Sequence, residues 1–230
     1  MLSVNGISSA YGESIILRDV HLEVGNGQVV ALMGRNGVGK TTLLKTIMGL
    51  IRPVQGNILY DSKDITGLSP EMRAINGIGY VPQGRDIFPH LTVQENLLLG
   101  LEARGKKADI PEGIFELFPA LKNLLARKGG DLSGGQQQQL AIARALITEP
   151  KLLIMDEPTE GIQPSIVYEI ENAIRFIKEQ GNVSILLVEQ FMEFALRLSD
   201  YCYIMEKGSI VFNGAVGDLS REEIRNHLTI

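Results

Sequence analysis

A glycine-rich segment that ends in a lysine and a threonine carries the most specific chemistry in this sequence. Gly34–Thr41 matches G-x-x-x-x-G-K-[ST] at every fixed position, between an apolar run and a helical pattern. Backbone N–H groups and a helix N-terminus can then surround a phosphate, while Lys40 adds a positive charge and Thr41 a hydroxyl for Mg²⁺. The alternative, a glycine-rich turn with a solvated lysine, is disfavoured by this context. The predicted phosphate-binding residues are Gly34, Arg35, Asn36, Gly37, Val38, Gly39, Lys40, Thr41 and Thr42.

Two adjacent carboxylates, Asp156 and Glu157, follow a second apolar run and precede Pro158. Ligands of parallel sheets bind at the carboxyl ends of the strands, so we predict that Asp156 holds a divalent metal ion. Glu157 can accept a proton from an attacking water or orient it. The alternative is a solvated acidic strand end, which Pro158 disfavours because it breaks the chain at this edge.

A second glycine-containing helix start lies at Ser133–Gln136, within the sequence LSGGQ. Ser133 is a good N-cap, and Gly134 and Gly135 ahead of a helix make a second anion-binding terminus that has no lysine. A simple helix cap explains the serine but leaves the two glycines and Gln136 without a reason.

The elements that position these residues follow from hydrophobic patterning. Val29–Met33, Leu152–Met155 and Ile185–Val188 are short, unbroken apolar runs, typical of parallel strands covered on both faces. Helical patterns lie between them, as crossover connections require. The sequence therefore predicts an α/β fold. The predicted helices are 40–50, 136–147, 164–180 and 191–198.

Two further regions differ from this core. Leu2–Ile7, Leu22–Val24 and Asn57–Asp61 resemble half-exposed antiparallel strands, whereas helical segments at Val93–Leu101 and Glu112–Leu125 dominate the middle of the chain. We expect one domain over 1–230, with an antiparallel part at about 1–30 and 55–62, a helical part at about 85–145 and a phosphate-binding core.

Composition narrows the classes of function. The 230 residues carry 22 Lys+Arg against 27 Asp+Glu, a net charge of −5, so we expect no nucleic-acid partner. One cysteine and three scattered histidines exclude a Cys- or His-rich zinc site. We find no signal peptide and no apolar run long enough to span a bilayer, so we expect membrane contact through partners only.

The phosphate loop, LSGGQ and the strand ending in Asp-Glu together resemble the ATP-binding subunit of an ABC transporter, over nearly the whole chain. The resemblance implies a P-loop NTPase fold of ABC type: a mostly parallel core sheet flanked by helices, with a small antiparallel β subdomain and a helical subdomain. It also implies an Mg²⁺-dependent ATPase in which Tyr11 stacks on adenine and Gln83 reaches Mg²⁺ and a membrane partner. The Ser133 helix start would then grip ATP held by another copy in a head-to-tail dimer. From the residues alone, Tyr11 can also be an edge-strand aromatic.

Two positions depart from the family pattern. Gln190 stands where the family usually has a switch histidine. It can donate a hydrogen bond but cannot move a proton near neutrality, so any catalytic role there is positioning, which places more weight on Glu157. Gln163 replaces a usual aspartate at the dimer contact.

Val188–Gln190 and Glu160–Pro164 are similar to the importer branch that serves branched-chain amino acids, amides and urea. Met33–Lys40, the Gln136–Gln139 run and His227–Ile230 are most similar to its urea ATPases. The resemblance implies permease subunits, a solute-binding protein and a peripheral position on the cytoplasmic face of the inner membrane. Two alternatives stay open: a soluble ABC ATPase that acts on nucleic acid or ribosomes, and a non-catalytic regulatory module.

Overall fold

The computed structural model describes residues 1–102 and 109–228. Its strands are β1 (Leu2–Tyr11), β2 (Ser14–Val24), β3 (Val29–Met33), β4 (Gln55–Tyr60), β5 (Lys63–Asp64), β6 (Ile78–Val81), β7 (Leu152–Asp156), β8 (Ser184–Glu189), β9 (Tyr201–Glu206) and β10 (Ser209–Ala215). Its helices are α1 (Lys40–Ile47), α2 (Pro70–Ile75), α3 (Val93–Glu102), α4 (Glu112–Leu117), α5 (Pro119–Lys122), α6 (Gly134–Leu146), α7 (Pro164–Gln180), α8 (Met192–Leu198) and α9 (Arg221–Leu228).

The strands with unbroken apolar runs form the middle of a mostly parallel sheet. The strand order is β10-β9-β3-β8-β7-β6, and only β10 runs antiparallel to its neighbour among these described strands. Every residue of β3, β7 and β8 is buried. Val30 and Leu186 pack towards α1 and the antiparallel strands, whereas Val29 and Leu187 pack towards α6 and α7. The predicted α/β core with strands covered on both faces is confirmed.

The antiparallel strands form a separate sheet in the order β2-β1-β4-β5. Alternate residues of β1, such as Leu2 and Val4, are buried, as the alternating pattern predicted. The boundaries differ from the prediction of about 1–30 and 55–62. β2 ends at Val24. Val29 and Val30 belong to the central sheet because they pair in parallel with Ile185 and Leu186 of β8, and β5 extends the antiparallel sheet to Asp64.

The crossover helices lie where the sequence placed them, with changes at their ends. α7 has the predicted bounds, with Pro164 in its first turn and Gly181 in a left-handed conformation after its last residue. The predicted helix 40–50 is too long, because α1 ends at Ile47 and Gly49 adopts a φ of +78°. α6 begins two residues before the predicted 136 and ends one before 147, and α8 begins one residue after 191.

The helical part packs on the α6 side of the central sheet. The prediction of one helical segment over Glu112–Leu125 was wrong, because α4 and α5 are separated at Phe118. This residue precedes Pro119, which disfavours helical backbone in the residue before it, and Phe118 has a φ of −131°. Within 1–102 and 109–228, no helix is long and apolar enough to cross a bilayer.

Candidate active site

The predicted phosphate-binding segment joins the end of β3 to the start of α1. Gly39 is the N-cap of α1, with a φ of 114° that glycine adopts without strain, and no side chain caps this helix. The N–H groups of its first turn are therefore left without a side-chain acceptor. At Gly34, an added Cβ would lie 2.5 Å from the Met205 carbonyl oxygen, so only glycine fits there. The local fold suits an anion at the start of α1.

The Lys40 side chain is only 4% exposed and folds back over this loop. Its Nζ donates to the carbonyl oxygens of Gly34 at 2.8 Å and Arg35 at 3.0 Å. The same nitrogen lies 3.1 Å from Oε1 of Glu157. The predicted phosphate lysine and the predicted catalytic carboxylate are thus in direct contact.

Asp156 ends β7 as a buried carboxylate, 1% exposed. Neither of its oxygens has a hydrogen-bond partner among the described residues. Burial raises the pKa of Asp156 to about 6, and the nearby Thr41 hydroxyl offsets this shift only in part. A buried carboxylate without a donor, close to a hydroxyl, fits a hard cation such as Mg²⁺, which takes one or two protein ligands and completes its shell with phosphate and water.

Glu157 follows directly, with its side chain also buried at 8% exposure. Its backbone has a φ of +50°, a conformation in which a non-glycine residue is strained, and its N–H donates to the Val188 carbonyl of β8 at 2.9 Å. The Gln83 amide donates to Glu157 at 3.3 Å and to Glu160 at 2.8 Å. The structure thus brings the predicted Gln83 to the predicted catalytic carboxylate.

A cleft of about 400 Å³ joins the start of α1 to Gln83 and Glu157, and the buried Asp156 does not line it. Tyr11, at the end of β1, is 52% exposed and lies on the cleft wall. Tyr11 pairs with Ser14 of β2, whereas the pairing of β1 with β4 ends at Ser8, so the edge-strand alternative stays open beside the predicted adenine contact. The cleft is lined by Tyr11, Ile16, Asn36, Gly37, Gly39, Lys40, Thr41, Thr42, Gln83 and Glu157.

The Ser133 helix start lies in a different place. Ser133 and Gln136 form a capping box, in which the Ser133 hydroxyl accepts from the Gln136 N–H at 3.3 Å and the Gln136 amide oxygen accepts from the Ser133 N–H at 3.0 Å. Ser133–Gln136 line a second cavity of about 240 Å³, together with Gln163 and Glu169. The cleft and this cavity share no lining residue.

Packing explains one of the two glycines at this helix start. A Cβ at Gly135 would lie 2.8 Å from the Ile166 side chain, so the close approach of α6 to α7 requires glycine. At Gly134 the nearest atoms belong to the long Arg85 side chain, 3.0 Å away, which can move. The sequence left both glycines and Gln136 unexplained by a helix cap; the contact with Ile166 accounts for Gly135, and the capping box accounts for Gln136.

The two residues that depart from the family pattern have different surroundings. Gln190 follows β8 with its side chain exposed, and it lines neither the cleft nor the second cavity. Its positioning role stays a prediction. Gln163 is the N-cap residue of α7 and lines the second cavity beside Gly161.

Sequence reasoning missed two carboxylates near the site. Glu160 holds the Gln83 amide, and Glu189 lies buried at the end of β8 with donors on both of its oxygens. Glu189 had a signal that could have found it, because it ends an apolar strand as Asp156 does. Glu160 had none, since its contact joins segments 77 residues apart.

Comparison with known proteins agrees with this geometry. The sequence model of the family described as "ABC transporter" matches residues 17–160. The chain belongs to the ABC transporter family. Coupling ATP hydrolysis to transport is the general activity of that family, and this chain carries its ATPase cassette.

Individual relatives cover most of the chain. The high-affinity branched-chain amino acid transport ATP-binding protein BraG of Pseudomonas aeruginosa is 40% identical over 93% of this chain and 92% of its own length. The probable branched-chain amino acid transport ATP-binding protein LivF of Archaeoglobus fulgidus is 36% identical over 97% and 95%. A dimeric ATP-binding cassette solved in a post-hydrolysis state with ADP and Pi is 26% identical, has a TM-score of 0.84, and is matched over 94% of this chain and 99% of that one.

Proposed function

We propose that this ABC ATPase binds Mg²⁺-ATP in the cleft between Tyr11 and Glu157 and hydrolyses it when a second subunit adds its Ser133 helix start. The observation that carries the proposal is that two helix starts, the uncapped one of α1 and the Ser133 one of α6, line two cavities that share no residue. One chain therefore supplies two incomplete surfaces. A head-to-tail pair with a second copy or a homologous subunit completes both.

The cleft has the groups that a nucleoside triphosphate needs. Tyr11 offers an aromatic face for adenine, and the uncapped start of α1 and Lys40 lie along the same wall for the phosphates. Lys40 contacts Glu157 in the structure, so phosphate oxygens compete with Glu157 for the ammonium group. Binding of ATP releases the Glu157 carboxylate to orient the attacking water.

Mg²⁺ would be held by the Thr41 hydroxyl, which lines the cleft, and by the buried Asp156 carboxylate near it, and Gln83 would contact its shell. Bound Mg²⁺ would neutralise negative charge on the phosphates. The chain's own contribution is a buried carboxylate whose oxygens have no hydrogen-bond partner among the described residues, so a bound cation would stabilise its negative charge.

The test of this assignment is a substitution at Glu157. Glu157→Gln keeps the shape of the side chain and removes the base, so steady-state ATP turnover should fall at least about a hundredfold while ATP binding persists. Glu179→Gln, the same change at an exposed position on α7, should leave turnover unchanged. Undiminished turnover in Glu157→Gln contradicts the proposed role.

We propose import of a small polar solute as the transport that this ATPase drives. The names of two relatives favour branched-chain amino acids. Urea stays the second candidate because of the motif similarities at Met33–Lys40 and Gln136–Gln139. The partners are permease subunits and, through them, a solute-binding protein outside the membrane; the subunit then lies at the cytoplasmic face of the inner membrane.

Reconstitution separates these solutes. The subunit is assembled with its permeases in proteoliposomes, and ATP turnover and uptake are measured with labelled leucine, an amide and urea in the presence of the solute-binding protein. Uptake of leucine alone supports the first candidate, and uptake of urea alone supports the second. ATP turnover without uptake of any solute, combined with binding to nucleic acid or ribosomes, supports the non-transport alternative. Absence of turnover in every assembly supports a regulatory module.

A further inference from the structure

Glu189, the last residue of β8, is a buried carboxylate with donors on both oxygens. It is 2% exposed. Oε1 accepts from the Thr159 hydroxyl at 2.7 Å and the Thr159 N–H at 3.2 Å. Oε2 accepts from the N–H groups of Gln190 at 3.1 Å and Phe191 at 3.4 Å. Each oxygen is thus bound to a different segment of the chain.

The two segments begin at the ends of neighbouring strands. The post-β7 segment, residues 157–163, carries Glu157, and Thr159 lies two residues after it. The post-β8 segment, residues 190–191, begins with Gln190. β7 and β8 pair in parallel, and the Glu157 N–H donates to Val188 in β8, so both segments leave the same edge of the sheet. Glu189 holds them together at the edge where the cleft lies.

Only a carboxylate can make this set of contacts. The Thr159, Gln190 and Phe191 backbone groups all donate, so both side-chain oxygens must accept. Burial raises the pKa of Glu189, and the hydrogen bonds from Thr159 and the two following N–H groups oppose that rise. A glutamine has one acceptor oxygen and an NH₂ group, so it can satisfy one segment but places a donor against an N–H of the other.

We propose that Glu189 is a positioning residue that couples the post-β7 and post-β8 segments and so fixes Glu157 relative to the cleft. It touches neither nucleotide nor water in this scheme. The inference rests on the proposed role of Glu157 as the group that orients water. Thr159 is the other half of the link, because its hydroxyl makes the shortest of the four contacts.

The experiment measures kcat and KM for ATP in four variants of the full chain: Glu189→Gln, Thr159→Val, Thr159→Ser and the double variant Glu189→Gln/Thr159→Val. Misplacement of a catalytic group lowers kcat, so Glu189→Gln and Thr159→Val should each lose about tenfold or more in kcat with KM within about twofold of the parent. Thr159→Ser keeps the hydroxyl and should retain parental kcat. The double variant should be no worse than Glu189→Gln alone, because both changes break one link.

Controls separate positioning from folding and from failure of the proposed function. Melting temperatures are measured for every variant, and if Glu189→Gln does not fold, the Thr159→Val and Thr159→Ser pair decides, since Thr159 is only half-buried. Three results would overturn the inference. The first is parental kcat in both Glu189→Gln and Thr159→Val, and the second is a loss of kcat in the double variant equal to the product of the two single losses. The third is an equal loss of kcat in Thr159→Ser and Thr159→Val. Glu157→Gln is assayed in parallel. If Glu157→Gln loses turnover while Glu189→Gln keeps parental kcat, only this inference is contradicted. If Glu157→Gln keeps full turnover, the proposed function is contradicted.

Discussion

Nζ of Lys40 lies 3.1 Å from Oε1 of Glu157, and both side chains are buried. The contact joins the first residue of α1 to the residue after β7, which are 117 positions apart in sequence. Lys40 is thereby a counter-ion for Glu157 and, in the proposed function, also a ligand for phosphate, and it cannot satisfy both fully at once. The first predictions follow from this competition.

Lys40→Ala should weaken ATP binding about ten- to a hundredfold, because it removes charge-assisted hydrogen bonds to phosphate. Titration with a fluorescent ATP analogue measures the change. Lys63→Ala, which removes an exposed lysine on β5, is the matched control and should bind like the parent. An unchanged ATP affinity in Lys40→Ala contradicts the phosphate-binding assignment.

Glu157→Gln should form a stable dimer when ATP and Mg²⁺ are present, since the nucleotide binds but is not consumed. Removal of the negative charge also removes the competitor for Lys40, so its ATP affinity should equal or exceed that of the parent. Sedimentation velocity with and without ATP reports the dimer. A variant that stays monomeric at saturating ATP, alone and with a homologous cassette, argues against ATP as the bridge between subunits.

Asp156→Asn should stabilise the protein without nucleotide while it abolishes Mg²⁺-dependent turnover. Burial raises the pKa of Asp156 to about 6, so the folded protein binds this proton more tightly than the unfolded chain does. Stability therefore falls as pH rises through the window between the ordinary aspartate value and about 6. At about pH 8 the substitution should raise the free energy of unfolding by about 1–3 kcal/mol. Urea denaturation measures this free energy, and the gain should shrink towards about pH 4. A loss of stability in Asp156→Asn at about pH 8 would contradict the conclusion that the Asp156 carboxylate lacks a partner.

Glu171→Gln should destabilise the contact between α7 and α8 at neutral pH. Hydrogen bonds from Arg197 and then Arg175 lower the pKa of Glu171 below its ordinary value of 4.5. Its stabilising effect is therefore present above that value and is lost as pH falls through the lowered one. We expect a loss of about 1–2 kcal/mol at about pH 7 by urea denaturation, which vanishes in strong acid. An equal loss at every pH would show that shape, not charge, matters here.

The sequence predicted burial and helix starts correctly where the signal lies within a single strand or helix. The unbroken runs in β3, β7 and β8 predicted burial on both faces, and Gly39-Lys40 predicted the start of α1, because each pattern is local. Pro119 carried a local signal for the break at Phe118 that the helical pattern around it concealed.

Contacts between segments that are distant in the chain could not be predicted from the sequence. The need for glycine at position 135 comes from Ile166 on another helix, and the donors on Glu189 include Thr159, 30 residues away. Neither partner can be known before the strand order places their elements side by side. This is why Ser133 could be predicted as an N-cap, whereas the cavity that it shares with Gln163 could not.

Turnover by mixed subunits tests the central claim most directly. Lys40→Ala disables the cleft of one subunit, and Ser133→Arg blocks the second cavity of another, so each variant alone should be inactive. In a mixed dimer the intact cleft of one subunit meets the intact Ser133 helix start of the other, and ATP hydrolysis should return when the two inactive proteins are combined. If the equimolar mixture hydrolyses no more ATP than either variant alone, the two surfaces do not complete one another across a dimer.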